Sequence, residues 1–172
     1  QFFASLNVDG SVSVYEVSPN TADPNAPPVR VEVGTLAQIS ASGQYASYET
    51  GSGNDLVTRV VRMATGAPQP VAEIHSATAV FDPAGTRVAW LRTRTPTDPA
   101  SSEILVRDLG TGTEQVWLSA GLIKSNLAWS GDGQSVIFIG GEASDPSRSD
   151  IYSVRAGAAA VRLTDEPGRK LN

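Results

Sequence analysis

The chain of 172 residues contains no cysteine. A disulfide framework, a thiolate zinc site and a cysteine nucleophile are thereby excluded. The absence fits an oxidising and a reducing compartment equally well. Histidine occurs once, at His75, so a transition-metal site would depend on carboxylates. Lysine occurs only at Lys124 and Lys170. Acidic residues (18) outnumber basic ones (13), for a net charge of −5. Phosphate binding relies on clustered Lys and Arg, so this balance argues against nucleic acid as a partner. It leaves room for a small basic pocket. No apolar run approaches the ~18–20 residues of a membrane helix, and no membrane span is expected. No segment carries a 3.6-residue apolar period over ten residues or more, so helices are not expected either. The motifs G-x-G-x-x-G, G-x-x-x-x-G-K-[ST] and G-x-S-x-G are all missing. A phosphate loop and a nucleophile elbow have no sequence support. The opening Gln1-Phe2-Phe3 lacks the charged start and apolar core of a signal peptide. It reads as a processed start or one cut from a longer protein.

What is present is turn chemistry. The 16 glycines and 11 prolines suit many short strands better than helices. With 40% apolar residues, the chain is long enough to bury a core as one domain.

The turns recur. Ile39-Ser40-Ala41-Ser42-Gly43, Phe81-Asp82-Pro83-Ala84-Gly85 and Trp129-Ser130-Gly131-Asp132-Gly133 each end a strand with a large apolar residue and close on glycine. The glycines lie 42 and 48 residues apart, and an aromatic follows five residues after each: Tyr48, Trp90 and Phe138. Asp55-Leu56-Val57, Glu103-Ile104-Leu105 and Asp150-Ile151-Tyr152 then place an acid before an apolar strand. Ser11–Val17 reads as an earlier copy. A closing strand is expected at Val29–Val33, Gln69–Glu73, Glu114–Leu118 and Ala160–Thr164. The loop Thr97–Ile104 reads onto Ser144–Ile151 at a constant offset of 47.

A period of 42–48 residues holding four short strands describes a β-propeller blade. One blade cannot bury both faces, whereas stacked blades can. The expected fold is therefore all-β: a β-propeller of about four blades of four antiparallel strands, whole or part of a larger propeller. The repeats fall at roughly residues 1–34, 35–75, 76–120 and 121–166, with 167–172 opening a further strand. In this frame Phe2-Phe3 aligns with a second strand. An excised piece of a longer propeller is preferred to a four-blade ring closed by the C-terminal strand.

Trp129–Phe138, Asp150–Val154 and Arg162-Leu163-Thr164-Asp165 together resemble the TolB-like propeller repeat, which reads W-S-P-D-G-x-x-I-A-F, then D-I-Y-V, then L-T. Phe81-Asp82-Pro83-Ala84-Gly85 through Trp90 is a second good copy. The copy at Ile39 is degenerate, and the first unit matches by period only. Gly131 stands where the repeat has Pro, which predicts a looser turn. The resemblance implies a periplasmic or extracellular bacterial protein that engages a protein or peptide. Some relatives instead form the propeller over a serine peptidase domain.

Candidate chemistry falls on one loop face. His75 is a candidate base or ligand, or else a surface loop residue. A Ser-His-Asp triad has no positive support. Asp98, Glu103, Asp145 and Asp150 form two acid pairs; they suit a calcium or cationic ligand, or simply cap turns and strand starts. A glycosidase would need two of them facing one another. Arg92, Arg94, Arg148, Arg169 and Lys170 offer guanidinium and ammonium donors for a carboxylate or acidic peptide. As scattered charges balancing the acids they need no function. Lys124 and Asn126 complete the candidate ligand-binding set of His75, Arg92, Arg94, Asp98, Asp145, Arg148 and Arg169. Trp90, Trp117 and Trp129 are expected in the core between blades. No catalytic residue, metal or cofactor is expected. The leading expectation is a non-catalytic binding scaffold; the alternatives are an accessory propeller of a larger enzyme such as a serine peptidase, or a propeller lyase or glycosidase. An incomplete propeller would also tend to self-associate through open blade faces.

Overall fold

Three turns with one hydrogen-bond pattern divide the computed structural model, which describes residues 2–6, 12–16, 29–50, 56–63, 69–75, 79–145 and 148–164. Gly43, Gly85 and Gly133 all take φ of 67–68°, and their amides donate to Ser40, Asp82 and Ser130 carbonyls at 2.8 Å. A side chain with a β-carbon resists this left-handed backbone, which explains the glycine at each repeat. In each turn the residue three before the glycine also accepts, through its own side chain, the amide that opens the next strand. Ser40 Oγ accepts from Tyr45, Asp82 Oδ1 from Arg87 and Ser130 Oγ from Ser135, at 2.9–3.0 Å. The turn at Gly131 is as tight as the other two, contrary to the looser turn expected there. Gly131 is absent from the left-handed glycines, and the closing bonds are unchanged.

Fourteen strands are described, all paired antiparallel. The chain divides into two units, Gln1–Ala77 and Thr78–Asn172. In the first, β1 (Phe2–Leu6), β2 (Val12–Glu16), β3 (Val29–Ile39), β4 (Tyr45–Thr50), β5 (Val57–Arg62) and β6 (Gln69–Ile74) pair in chain order. The eleven-residue β3 serves twice. Val29–Gly34 pair with β2, and Thr35–Ile39 pair with β4 after a register shift between Thr35 and Gln38. Ala46, Tyr48 and Val61 form the buried cluster of this unit, with Ile39 and Met63 against it.

The second unit holds two four-stranded sheets. One is ordered β10 (Glu114–Leu118), β9 (Ser102–Asp108), β8 (Arg87–Thr93), β7 (Ala79–Phe81). The other is β11 (Ile123–Trp129), β12 (Val136–Gly141), β13 (Asp150–Val154), β14 (Val161–Arg162). Ala89, Ile104, Val106 and Trp117 of the first sheet share a buried cluster with Leu127, Val136, Phe138 and Val154 of the second. Burying such side chains contributes roughly 1.5–3 kcal/mol for each large one, more than any exposed ion pair. Trp129 packs edge-on against Trp117 at 5.4 Å, and its indole Nε1 donates to the Val80 carbonyl at 3.0 Å. Phe138 stacks on Tyr152 at 5.5 Å. The expected core positions of Trp90, Trp117 and the repeat aromatics hold, since Tyr48, Trp90, Trp117 and Phe138 are all buried. Ala156–Ala158 forms a hairpin turn, closed by the Ala158 amide on the Arg155 carbonyl. Among the described residues no helix is long and apolar enough to cross a membrane.

Candidate functional site

The two loops that match at an offset of 47 in sequence are built alike. The Asp98 amide donates to the Thr95 carbonyl, and Ser101 to Asp98. At the equivalent positions Asp145 donates to Glu142, and Arg148 to Asp145, at 3.1–3.2 Å. In the first loop Asp98 Oδ1 also accepts the Ala100 amide and caps a single 3-10 turn, Pro99–Ser101. Asp-Pro sets such turns because the acid bonds nearby amides while proline fixes φ. Each loop then delivers one acid to the first or second residue of a strand, Glu103 on β9 and Asp150 on β13.

Both acids are buried, and both are held by arginines. Arg92 is the direct cross-strand partner of Glu103, and its Nη2 lies 2.8 Å from Glu103 Oε2. Arg94 Nε lies 2.9 Å from Oε1. The Arg94 hydrogen bond, aided by Arg92 and by both charges, outweighs burial and holds the Glu103 carboxyl below the usual range. Glu103 in turn fixes two guanidinium groups whose side chains stay 44% (Arg92) and 62% (Arg94) exposed. Beside them Lys124, at the start of β11, is buried. Its Nζ donates to the Ser102 carbonyl at 2.7 Å and the Leu122 carbonyl at 2.8 Å. Burial depresses it to about 8, against the opposing pull of Glu103. The Lys124 bond to Ser102 and the Gly121 amide on the Ala100 carbonyl tie the two sheets at this end.

The second cluster lines a pocket of about 110 Å³ bordered by Gly140, Gly141, Glu142, Asp145, Arg148, Asp150, Tyr152 and Arg162. Arg162 Nη2 donates to Asp150 Oδ2 at 2.6 Å, Thr164 Oγ1 donates to Oδ1 at 3.1 Å, and Arg148 Nε lies 3.5 Å from Oδ2. Burial pushes the Asp150 carboxyl up, but these partners together outweigh it and leave it lowered. The volume suits one small polar group and is well short of a drug-sized ligand. Gly140 and Gly141 form part of its floor, and a β-carbon at Gly140 would lie 2.8 Å from Tyr152 Cδ2, so the stacked rings leave no room for a side chain there.

The remaining candidates are dispersed. Asp98 and Asp145 are exposed loop residues, while His75 is exposed just after β6 and belongs to the first unit. Asn126 is exposed in β11 at a register shift and is the one described non-glycine residue with positive φ, at 51°. Arg169 and Lys170 lie outside the described residues. Among the described residues, no three His, Asp or Glu side chains are grouped to hold a metal ion. Glu103 and Asp150, for which the sequence offered either a cationic ligand or strand-start capping, are each paired with arginines. Sequence reasoning missed Arg162 and the glycine floor of the pocket. The signal for Arg92 was its cross-strand register with Glu103, which needs the pairing of β8 with β9.

No family model and no curated protein matches the chain. Among solved structures it is similar to TolB from Acinetobacter baumannii, at 14% identity and a TM-score of 0.59 over 92% of this chain and 38% of that one. It is similar to a putative TolB from Agrobacterium tumefaciens, at 18% identity and a TM-score of 0.58 over 96% and 62%. A prolyl endopeptidase matches at 16% identity and a TM-score of 0.61 over 96% and 29%. The chain thus spans less than two thirds of each of these chains. At such identities the likeness defines the fold, and that fold is a β-propeller.

Proposed function

We propose that the chain is a non-catalytic binding scaffold that engages a protein or peptide through the strand ends where β8 passes to β9 and β12 to β13. The observation that carries this reading is the pair Arg92 and Arg94 on the buried Glu103. Glu103 holds both guanidinium groups, Arg92 also lies 3.7 Å from Glu114, and the two side chains stay 44% and 62% exposed. Preorganised arginines suit planar carboxylates, so the favoured partner segment carries Asp or Glu. The neighbouring pocket, with Glu142, Asp145 and two arginines, would seat a single polar side chain of the same segment. The TolB likeness supports a place outside the cytoplasm, periplasmic or extracellular. Fractionation of the tagged protein tests that placement.

Calorimetric titration with an Asp/Glu-rich peptide and its Asn/Gln counterpart tests the binding. Selective binding of the acidic peptide, lost in an Arg92→Ala/Arg94→Ala variant, is the expected result. Equal binding of both peptides, or turnover of a glycan or ester that depends on a loop carboxylate, sinks it.

A second reading draws on the likeness to a prolyl endopeptidase: the propeller serves as an accessory domain of a larger enzyme. Sequencing the parent gene decides it, since a gene with no further domain removes this reading.

A further inference from the structure

Register makes two places in the second unit equivalent. Gly140 lies opposite Asp150 across β12 and β13, as Arg92 lies opposite Glu103 across β8 and β9. Two residues further along the chain come Glu142 and Arg94. The later repeat thus has glycine where the earlier one has an arginine, and an acid where the earlier one has its second arginine. In the earlier repeat Arg92 extends from its strand to Glu103 at 2.8 Å and Glu114 at 3.7 Å. In the later repeat Gly140 extends nothing and instead borders the pocket of about 110 Å³.

Gly140, Asp150 and Tyr152 alternate in step with Phe138 and Val154, so the pocket opens on the face that the sheet β7–β10 already covers. Its walls hold three acids and two arginines, a balance of −1. Asp150 is held by Arg162 at 2.6 Å and by Arg148 at 3.5 Å. Glu142 is exposed at the rim and accepts from the Ser144 hydroxyl at 3.3 Å. The ring of Tyr152 adds an aromatic wall, which a cation tolerates and an anion does not. The two equivalent places therefore differ in sign: the earlier presents arginines, the later a cavity with an acidic rim.

We infer that this pocket takes the ammonium head of a lysine side chain from the partner segment. The incoming cation stands where Arg92 stands in the earlier repeat, and Glu142 supplies the charge that receives it. A peptide segment as partner is taken from the scaffold reading, which the pocket sharpens: an acid on Arg92 and Arg94, a base in the pocket. Packed sheets lie about 10 Å apart, roughly three residues of extended chain. A segment with Glu and Lys about three residues apart reaches both places. A segment of one charge sign is opposed at one of them, which is a source of specificity.

Amide nitrogen–proton correlation spectra of the 172-residue chain, titrated with N-acetyl-lysine methylamide, test the pocket by itself. Saturable shifts of the Gly140 and Gly141 amides are expected. N-acetyl-norleucine methylamide, which keeps the stem without the charge, should leave them unmoved. Glu142→Gln, at an exposed position that does not threaten the fold, should weaken lysine binding about fivefold. No shift of the two amides by on the order of 50 mM probe overturns the proposal. So do equal shifts from norleucine, an affinity indifferent to Glu142→Gln, or shifts caused by acetate and not by lysine. The probe carries no carboxylate, so these failures leave the acidic-peptide reading of Arg92 and Arg94 standing. Lysine shifts without any binding of the acidic peptide would sink that reading and keep the pocket.

Discussion

The guanidinium of Arg87 stands over the Trp129 ring, 4.7 Å from its centroid. The same group donates to Asp82 Oδ2 at 3.0 Å within its own turn and to the Gly133 carbonyl at 2.6 Å in the next repeat's turn. Two turns that are copies of one another are thus joined by a residue that belongs to only one of them. Trp129 returns the link through its indole bond to the Val80 carbonyl. The seam between the two sheets of the second unit is therefore polar at this rim and apolar inside.

Removing that clip should be felt as stability. Arg87→Met keeps the stem but leaves Asp82, whose side chain is 1% exposed, with backbone donors alone. It also ends the contact over Trp129. A loss on the order of 2 kcal/mol is expected from one cation–π contact and one charge-assisted bond beside a buried acid. Urea unfolding followed by tryptophan emission measures it. Arg87→Lys should recover only part, because an ammonium cannot reach all three partners at once. An unchanged midpoint for Arg87→Met would mean that the seam is held by the apolar cluster alone.

The repeat glycines separate backbone strain from crowding. Gly43 and Gly133 share φ near +67°, yet a β-carbon at Gly43 meets nothing within 4 Å. At Gly133 it would lie 3.2 Å from Arg87 Nη2 and 3.6 Å from Pro83. Gly43→Ala should cost about 1 kcal/mol for the left-handed backbone alone. Gly133→Ala should cost more, because the Arg87 clip must also give. Thermal unfolding of the two variants compares them, and equal costs would show that the clip moves freely.

These two residues also show what was legible in the sequence. The turns could be read because their geometry demands glycine and a Ser or Asp at fixed spacing, a local requirement. The strands could be read because apolar residues alternate within a fixed period. The arginine clips could not. Arg92 and Arg94 looked like loose loop charges because their tie to Glu103 runs across two strands. Lys124 gave no sign of burial, since its partners are the Ser102 and Leu122 carbonyls, and any residue supplies a carbonyl. Asn126 carried no hint of positive φ, because the register shift in β11 arises from pairing with β12.

A substitution on the pocket floor should act through aromatic stacking. Gly140→Ala would set a methyl 2.8 Å from Tyr152 Cδ2 and 3.0 Å from Phe138 Cε2. Those rings stack at 5.5 Å, and Phe138 is 1% exposed, so they have little room to move. Overpacking of this kind costs about 1–3 kcal/mol. Chemical unfolding should show that loss, and near-ultraviolet circular dichroism should show altered signals from both rings. A wild-type spectrum would mean that Tyr152 swings away without cost.

The buried Lys124 should leave a signature at alkaline pH. Its folded value is about 8, below the ordinary 10.5 it regains on unfolding. Between those values the unfolded chain binds more protons than the folded one, so the contribution of Lys124 to stability rises with pH across that window. Below about 8 the ammonium is present in both states and the cost of burying it is constant. A neutral amine keeps two N–H donors, enough for the Ser102 and Leu122 carbonyls, so the clip survives deprotonation. Lys124→Met removes both the titration and the two bonds. The stability difference between wild type and Lys124→Met should therefore widen in favour of wild type from pH 8 to pH 10, with other groups cancelling in the subtraction. Urea midpoints at half-unit steps of pH measure it. Parallel curves would show that Lys124 titrates as an exposed lysine does, and that the bonds to the two carbonyls do not hold it out of water.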